Sequence, residues 1–451
     1  MRFLLCCSAV CLALVSVERV MAQDAVAMIV DLIGRDDAEY RAIGLDRVRH
    51  AAKGSEATRA FSGLLATQQP GRQAELLAAL ADRGDKAALP AITTLLPTAT
   101  AAEVRTAAVR ALGLLGGPAE VEQLLKSLTA ADPEKSAARR ALVVLPGADS
   151  DKRLVEAAAS GSAAVRPVLI DILADRRTRS ALPTLLAAAT DADAGVRSAA
   201  MRALGRLGGP DEVPGMVKGY LAAQAGAERN DAERALVTVC TESRGKEQSA
   251  TAFLAAFEAS AGADRETLLS PLGRIGGSAA LAIVDGLLAD PAKRDLGMKA
   301  LTRWPDATVV PKLLDMLGKS QNPAEREMLL GALIRIAPLP DNKLNDKQKL
   351  DLVQKIMPLC QTDEERAKLL ERANAIRTVE TFRFVLPYVD QPALAEPACK
   401  SVVELAHHRQ LRDAHKEEFT KALDKVIATT KNPEFVDRAN RYKEGKTWER
   451  K

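Results

Sequence analysis

Three series of basic residues recur about every 31 residues along this sequence. The first consists of Arg41, Arg105, Lys135, Arg166, Arg197, Arg229, Arg265, Arg294 and Arg326, with Gln73 in the place of one member. The second lies five residues further on and consists of Arg110, Arg140, Arg202, Arg234 and Lys299, interrupted by Asp171 and Ser270. The third lies four residues beyond the second and consists of Arg206, Arg274, Arg303 and Arg335. A guanidinium group binds a carboxylate through two parallel hydrogen bonds, so these rows are typical of a surface that attracts acidic partners.

Histidine is the other residue type whose spacing could form a functional site, in this case a metal site. Glu404, His408 and His415 are spaced so that one helical face brings them together, and a metal site is conceivable there. A solvated, charged helix face is the favoured interpretation, and His50 is isolated. The sequence contains no P-loop, GxSxG or HExxH motif. It therefore predicts no catalytic residue, no metal site and no cofactor.

The basic series belong to an internal repeat. The segment VRTAAVRALGLLGGP at Val104–Pro118 recurs as VRSAAMRALGRLGGP at Val196–Pro210. An apolar anchor recurs with it at Leu80, Leu112, Leu142, Leu173, Leu204, Leu236, Leu272, Leu301 and Leu333, and Val48 precedes them. Steps of about 31 residues indicate a repeat architecture rather than a set of globular domains.

Each repeat has the pattern of two helices. Residues from Val104 to Leu115 place their apolar side chains on one helical stripe, and Gly116-Gly117-Pro118 ends that helix. A second apolar run follows over Val121–Leu128. Asp132-Pro133 opens the next repeat, with Asp132 predicted as the N-cap and Pro133 at the first helical position. One such hairpin cannot bury its apolar face alone, so the prediction is an all-α solenoid of stacked helical hairpins.

The VRxxAxxALGxLGGP pattern resembles the HEAT-repeat family, in particular the short bacterial repeats related to those of phycobilisome lyases. The resemblance is strong over residues 24–335, and weaker units are placed around 346–376, 379–406 and 411–442. It implies that the first arginine series, including Arg105, Arg166 and Arg197, forms a structural ladder by pairing with acidic or carbonyl groups of the inter-helix turns. Plausible carboxylate partners are Asp132, Asp193 and Asp290.

The resemblance also implies that the helices bearing the other two series line the concave surface of the solenoid. The candidate binding residues are Arg110, Arg140, Arg202, Arg234, Arg206 and Arg274. The functional interpretation is a basic groove for an acidic protein segment or a polyanion, and the alternative is an ordinary solvated face. Some HEAT-fold relatives are enzymes, so a lyase-like or metal-dependent enzyme is the alternative function. The His-Glu pairs of the di-iron deoxyhypusine hydroxylases do not occur in this sequence.

The N-terminus is predicted to be a signal peptide. Arg2 precedes an apolar stretch over residues 3–17, which is short for a membrane span. Val20-Met21-Ala22 provides small residues for cleavage, so the mature chain is expected to begin at Gln23. A membrane anchor and a lipoprotein, the latter suggested by Ser8-Ala9-Val10-Cys11, are the alternatives. The expected location is the periplasm, the cell envelope or the extracellular space.

Export also sets the charge and the cysteine content of the mature chain. Loss of Arg2, Glu18 and Arg19 changes the formal net charge from +4 to +3, which is nearly neutral and argues against a nucleic-acid partner. The remaining cysteines, Cys240, Cys360 and Cys399, are scattered, so they do not form a disulfide scaffold. The predicted organisation is a signal peptide over 1–22, regular repeats over 23–337, degenerate helical repeats over 338–442 and a basic tail over 443–451.

Overall fold

The segments with apolar residues at steps of three and four form helices in the computed structural model, which describes residues 23–340 and 342–448. Within these residues the chain contains helices and turns but no strand, as predicted. The predicted signal peptide falls on residues 1–22 and lies outside the described residues, as do residues 449–451 of the predicted basic tail. The helices divide into two units, one ending at Ala252 and the other beginning at Phe253. The predicted change at residue 337 stays a prediction.

The helices of the first unit are α1 (23–34), α2 (Ala38–His50), α3 (Ser55–Gly63), α4 (Pro70–Arg83), α5 (Leu89–Leu95), α6 (Ala102–Leu115), α7 (Val121–Ser127), α8 (Glu134–Val144), α9 (Ala148–Ser160), α10 (Arg166–Asp175), α11 (Leu182–Ala188), α12 (Ala194–Leu207), α13 (Val213–Ala222), α14 (Ala227–Thr241) and α15 (Lys246–Ala259), within which the division falls. Longer and shorter helices alternate from α2 to α8 in the first unit, whereas α9 is longer than both of its neighbours. Short 3-10 segments cover Leu64–Ala66, Lys86–Ala88, Pro118–Glu120, Arg179–Ala181 and Pro210–Glu212.

The even-numbered helices of the first unit form one stacked row. Each of α2, α4, α6, α8, α10, α12 and α14 packs against the next, while α5, α7, α11 and α13 each pack against the helix that follows them. The anchor residues supply the core of the row, since Leu112 and Leu204 have no exposed surface. The other predicted anchors from Val48 to Leu333 are equally buried, which confirms the helical phase of the repeat.

Glycine within the repeat motif allows the stacked helices to approach closely. A methyl group added to Gly113 on α6 would lie 2.6 Å from the Cβ of Ala141 on α8. The same substitution at Gly205 on α12 would reach the Cβ of Ala235 on α14 at 3.0 Å. Because such distances leave no room for a side chain, the Ala-Leu-Gly triplet is a packing requirement of the row.

The turn after α6 follows the prediction, whereas the start of α8 does not. α6 ends at Leu115, before the predicted glycine stop, and Glu120 accepts a hydrogen bond from Gly117 N at 2.7 Å. Pro133, predicted at the first helical position, occupies the N-cap position of α8 instead. The carboxylate of Asp132 lies one residue before the N-cap, yet it still accepts hydrogen bonds from the backbone N–H of Ser136, in the first turn of α8, and from the Ser136 hydroxyl.

The second unit continues the helical pattern with less regular lengths. Its helices are α16 (Gly262–Thr267), α17 (Leu269–Ile275), α18 (Ser278–Ala289), α19 (Arg294–Leu301), α20 (Val310–Lys319), α21 (Pro323–Ile336), α22 (Asp346–Ile356), α23 (Asp363–Ala373), α24 (Val379–Val385), α25 (Ala395–His407), α26 (Arg409–Ala414), α27 (Lys416–Thr429) and α28 (Pro433–Lys443). Short 3-10 segments cover Ala307–Val309, Met357–Leu359 and Leu386–Asp390. Three of these helices are capped by the side chains of Asn345, Thr362 and Asn432, which accept hydrogen bonds from backbone N–H groups of the first turn.

Candidate functional site: two rows of arginines

The first arginine series lies at the inter-helix turns of the first unit. Arg105 donates to the carbonyl of Thr100 at 2.7 Å and to the carboxylate of Glu134 at 2.8 Å. Arg166 donates to the carbonyl of Ala158 at 2.9 Å and to the carboxylate of Asp191 at 2.7 Å. Each guanidinium therefore joins a backbone carbonyl of the preceding turn to a carboxylate further along the chain.

Arg197 extends the same arrangement into the next repeat. It donates to the carbonyls of Asp191 and Ala192 at 2.8 and 2.9 Å, and to both carboxylate oxygens of Glu228 at 2.8 and 3.0 Å. Asp191 thus contacts Arg166 through its side chain and Arg197 through its backbone. We call the contacts of Arg105, Arg166 and Arg197 the turn ladder.

The turn ladder stabilises the ionised form of its carboxylates. Two charge-assisted hydrogen bonds from Arg197 hold the pKa of Glu228 below its ordinary value, against the opposing effect of burial. The pKa of Asp191 is also lowered, first by the backbone N–H of Asp193 and also by Arg166. The same pairing raises the pKa of Arg197.

The aspartates predicted to partner the ladder have other roles. Asp193 accepts a hydrogen bond from Val196 N at 2.9 Å, and Asp290 accepts one from Ala292 N at 3.0 Å. Asp132 contacts Ser136. An aspartate next to a helix start is drawn to the free N–H groups of the first turn, so its carboxylate is directed away from the arginine.

Other members of the first series show how far the ladder extends. Arg41 and Arg229 donate to turn carbonyls at 3.1 and 2.7 Å, and Arg294 pairs with Glu325 at 2.6 Å. Arg265 instead stacks over the ring of Phe257, with 4.8 Å between the guanidinium carbon and the ring centre. At the position that lacks a basic residue, Gln73 donates to the carbonyl of Leu65 at 2.7 Å.

The members of the second and third series that belong to the first unit lie on the exposed face of the stacked row, and aspartates on α10 neutralise part of them. Arg110, Arg140, Arg202 and Arg234 are all exposed, on α6, α8, α12 and α14. The side chain of Asp171 lies 3.4 Å from Arg202. Asp175 pairs with Arg206 at 2.9 Å and with Arg139 at 2.6 Å.

The remaining arginines of the row divide into one paired and two unpaired residues. Arg234 lies 3.3 Å from Asp231 on its own helix. Arg110 and Arg140 form no ion pair with any residue in the described ranges 23–340 and 342–448. The structure therefore does not present four equivalent guanidinium groups; it places two that form no ion pair on the neighbouring helices α6 and α8, and the charge of Arg140 also acts on Asp132.

The third series has a different environment in the second unit. Arg335 is largely buried at the end of α21 and donates to the carbonyls of Thr302 and Trp304 at 3.1 and 2.6 Å. Burial lowers its pKa most, and three neighbouring guanidinium groups lower it further. They belong to Arg372, Arg274 and Arg303. The candidate binding residue Arg274 thus lies in a cluster of basic side chains in the second unit.

Arg335 belongs to a type of contact that the sequence analysis missed. Arg83 at the end of α4 donates to the carbonyls of Val48, Ala51 and Ala52 at 2.6–2.9 Å, and so caps α2. Arg176 reaches the carbonyls of Leu142 and Leu145 at 2.7 Å, and so caps α8. An arginine in the last turn of one helix thus satisfies the free carbonyls of the preceding helix in the row. A basic residue close to an anchor leucine was the available signal.

Glu404 and His415, two of the three conceivable metal ligands, contact different partners. Glu404 pairs with Arg438 at 2.7 Å, and His415 lies 3.7 Å from Glu418. Burial lowers the pKa of His408, which favours its neutral form. No group of three His, Cys, Asp or Glu side chains in the described residues is arranged to hold a metal ion.

The three cysteines are buried thiols whose environment disfavours the reactive thiolate. Cys240, Cys360 and Cys399 are free and buried, and burial raises the pKa of Cys240 to about 12 and those of the other two to about 11. Thiols of such high pKa are poor nucleophiles. Trp304 is buried in the core.

Residues 59–143 and 152–237 match the family model of HEAT repeats. This part of the chain therefore consists of HEAT repeats, as the resemblance predicted, and the helical solenoid of the first unit is a fold typical of protein-interaction scaffolds. The turn ladder lies within the matched residues, and so does the exposed row from Arg110 to Arg234. No curated protein matches the sequence.

A comparison with solved structures returns several that resemble parts of the chain at low identity. With Kap95p, from a complex with RanGDP, it shares 13% identity and a TM-score of 0.48 over 94% of this chain and 60% of that chain. With Kap121p bound to Nup53p the values are 12% and 0.47, over 94% and 52% of the chains. With human deoxyhypusine hydroxylase they are 19% and 0.25, over 64% and 98%. The chain thus spans between half and two thirds of the length of these two Kap proteins.

None of the described helices is both long enough and apolar enough to cross a bilayer.

Proposed function

We propose that this protein is an exported, non-enzymatic scaffold that binds an acidic segment of a partner protein on the exposed face of its stacked row. One observation carries the proposal. Arg110 and Arg140 are exposed on neighbouring helices and form no ion pair with a described residue, whereas Arg202 and Arg206 are paired with aspartates of α10. A guanidinium without a carboxylate on its own chain is available for one on another.

Two sequence features support export and a non-enzymatic role. The apolar stretch and the small residues at Val20-Met21-Ala22 have the pattern of a cleaved signal peptide. The sequence has no nucleophile or phosphate-binding motif, and in the structure Glu404 and His415 contact different partners rather than one site. N-terminal sequencing of the native protein should begin at Gln23, and an intact Met1 in a cytosolic fraction would contradict export.

The binding proposal is tested with a charge-reversal variant. Arg110→Glu, Arg140→Glu, Arg202→Glu and Arg234→Glu are combined in one chain, which is used to capture crosslinked partners from the native envelope fraction. The proposal expects partners captured by the unmodified chain to be lost. A matched control reverses four exposed basic residues on other parts of the first unit: Arg59, Arg153, Arg179 and Lys218. Loss of the same partners in both variants would show only that net charge matters.

The proposed absence of enzymatic activity is tested separately. Elemental analysis and the visible spectrum of the protein purified from its native source should show no stoichiometric metal and no chromophore. Either one, bound tightly, would favour the lyase-like or metal-dependent alternative.

A further inference from the structure

The exposed face of α6 and α8 carries large apolar side chains beside its arginines. Leu114 follows Arg110 by four residues on α6, and Val144 follows Arg140 by four residues on α8. Leu114 is 61% exposed and Val144 is 59% exposed. On α10 and α12 the corresponding positions hold charged residues, paired with each other at 2.9 Å. We call Arg110, Leu114, Arg140 and Val144 the α6–α8 patch.

The packing of the two helices fixes the layout of this patch. The contact of Gly113 with Ala141 brings α6 and α8 close together, and stacked helices lie about 8–10 Å apart. Four residues along a helix cover about 6 Å. The two guanidinium groups therefore lie side by side on the row, and the two apolar side chains lie side by side about 6 Å further along.

An exposed leucine by itself needs no explanation, because much of any protein surface is apolar. In the α6–α8 patch, however, two apolar side chains occupy equivalent positions in adjacent repeats. Each lies next to a guanidinium that forms no ion pair within the described residues, although the charge of Arg140 also acts on Asp132. This combination presents apolar area together with exposed positive charge, and it extends over two repeats.

We propose that the α6–α8 patch binds one segment of another protein that carries apolar side chains next to carboxylates. This inference rests on the proposed function and adds to it, because the proposed function requires only positive charge. Charge complementarity selects the occupant: carboxylates would meet Arg110 and Arg140, while apolar side chains of the same segment cover Leu114 and Val144. A second copy of this chain fits less well, because a symmetric contact would bring the four arginines of two patches together.

The spacing also describes the segment. Residues seven apart on a helix are separated by about 10 Å along its axis, close to the separation of α6 and α8. A helical segment crossing the row would therefore contact both helices with two apolar residues about seven positions apart. An acidic residue close to each would reach the arginine of the same helix.

The test selects peptides from a random displayed library on the immobilised chain over residues 23–451. Synthetic copies of the enriched peptides are then measured by fluorescence anisotropy. We expect enriched peptides to contain Asp or Glu near Leu, Ile, Val, Met or Phe. Leu114→Ser with Val144→Ser should weaken binding about tenfold or more, a loss typical of interface hot spots, and so should Arg110→Gln with Arg140→Gln.

Matched controls separate the patch from general surface effects. Met328→Ser replaces an exposed apolar residue of the second unit, and Arg59→Gln with Arg153→Gln removes two exposed charges elsewhere in the first unit. These variants should bind the selected peptides as the unmodified chain does. All the substitutions lie on the surface, so circular dichroism and melting should show an unchanged fold.

The outcomes distinguish this inference from the proposed function. If the arginine pair matters and the apolar pair does not, the inference is wrong while the proposed function stands. Peptides that bind equally to every variant, or that lack acidic residues, overturn the inference. Self-association of the purified chain that disappears in Leu114→Ser with Val144→Ser would assign the patch to a second copy and overturn it too. The proposed function fails separately, when the four-arginine Glu variant keeps its native partners.

Discussion

Arg197 and Arg202 lie five residues apart on α12, yet their surroundings differ sharply. The side chain of Arg197 is 8% exposed and donates to two backbone carbonyls and to Glu228. The side chain of Arg202 is 49% exposed and reaches one carboxylate, Asp171, at 3.4 Å. The first arginine belongs to the turn ladder and the second to the exposed row. The position within the repeat, rather than the residue type, therefore decides whether an arginine supports the fold or remains available to a partner.

The reason lies in what each position faces. Every inter-helix turn leaves backbone carbonyls without helical partners, so an arginine directed at the turn has acceptors within reach. The exposed face offers only side chains, and these differ from repeat to repeat. Aspartates on α10 neutralise the row locally, whereas α6 and α8 lack them.

The largest expected loss of stability comes from the buried core on which both the turn ladder and the exposed row depend. Leu204→Ala on α12 should lower the free energy of unfolding by about 2–5 kcal/mol, because Leu204 is fully buried between stacked helices. Urea unfolding followed by circular dichroism measures it. The control Arg110→Ala should stay close to the unmodified chain. Equal effects of the two changes would mean that the helical phase of the repeat is wrong.

The turn ladder should give the next largest effect. Arg197→Ala removes four hydrogen bonds and leaves the largely buried carboxylate of Glu228 without its partner. We expect a loss of about 2–4 kcal/mol, typical of breaking a buried ion pair by deleting one member. Arg202→Ala on the same helix is the matched control and should cost less than about 1 kcal/mol. If the two arginines cost the same, the contrast between ladder and exposed row fails.

The sequence predicted the fold well because buried positions recur at a nearly fixed spacing along the chain. Leu112 and Leu204 were identified from a spacing of three and four residues within helices and about 31 between repeats, and both are buried. The stop at Gly116 was predictable from its turn chemistry. The division of the chain within α15 was not predicted. The longest step between anchors, from Leu236 to Leu272, spans that region and was the available signal.

The candidate site was less predictable, because its partners come from neighbouring repeats. Glu134 lies 29 residues after Arg105, and Glu228 lies 31 residues after Arg197, whereas the sequence analysis sought acids in each arginine's own turn. Searching one repeat ahead would have found both. The neutralisation of Arg202 by Asp171 follows the same rule, again across 31 residues. Leu114 occupies the place of the third series in its repeat but is not basic. Nothing in the sequence therefore marked it as a surface residue, and only the structure shows that it is exposed.

Acid should weaken the turn ladder in a defined direction. The folded pKa of Glu228 is lowered from its ordinary value of 4.5, so its contribution to stability is complete above that value. The contribution is lost as the pH falls below 4.5 and through the lower folded pKa. The melting temperature of Glu228→Gln should therefore lie below that of the unmodified chain at neutral pH and approach it in acid.

This comparison needs a control for general acid effects. Glu122 pairs with Lys126 on the surface of α7, where both side chains are 76% exposed. Glu122→Gln should follow the unmodified chain at every pH, because an exposed pair of this kind adds little stability. A difference between Glu228→Gln and the unmodified chain that stays constant from neutral pH into acid would contradict the ionised ladder.

The smallest expected effect on stability is also the one most informative about function. Arg110→Ala should change the free energy of unfolding by no more than about 0.5 kcal/mol, because the side chain is exposed and forms no ion pair with a described residue. The same holds for Arg140→Ala. If Arg110 and Arg140 bind a partner, both variants should weaken capture of that partner while the melting temperature stays unchanged. Added salt should also weaken capture by the unmodified chain, because about 0.15 M salt limits electrostatic attraction to about 8 Å. A measurable loss of stability in Arg110→Ala would instead assign this residue to the fold, and binding would have to be sought first around His407 and His408 in the second unit.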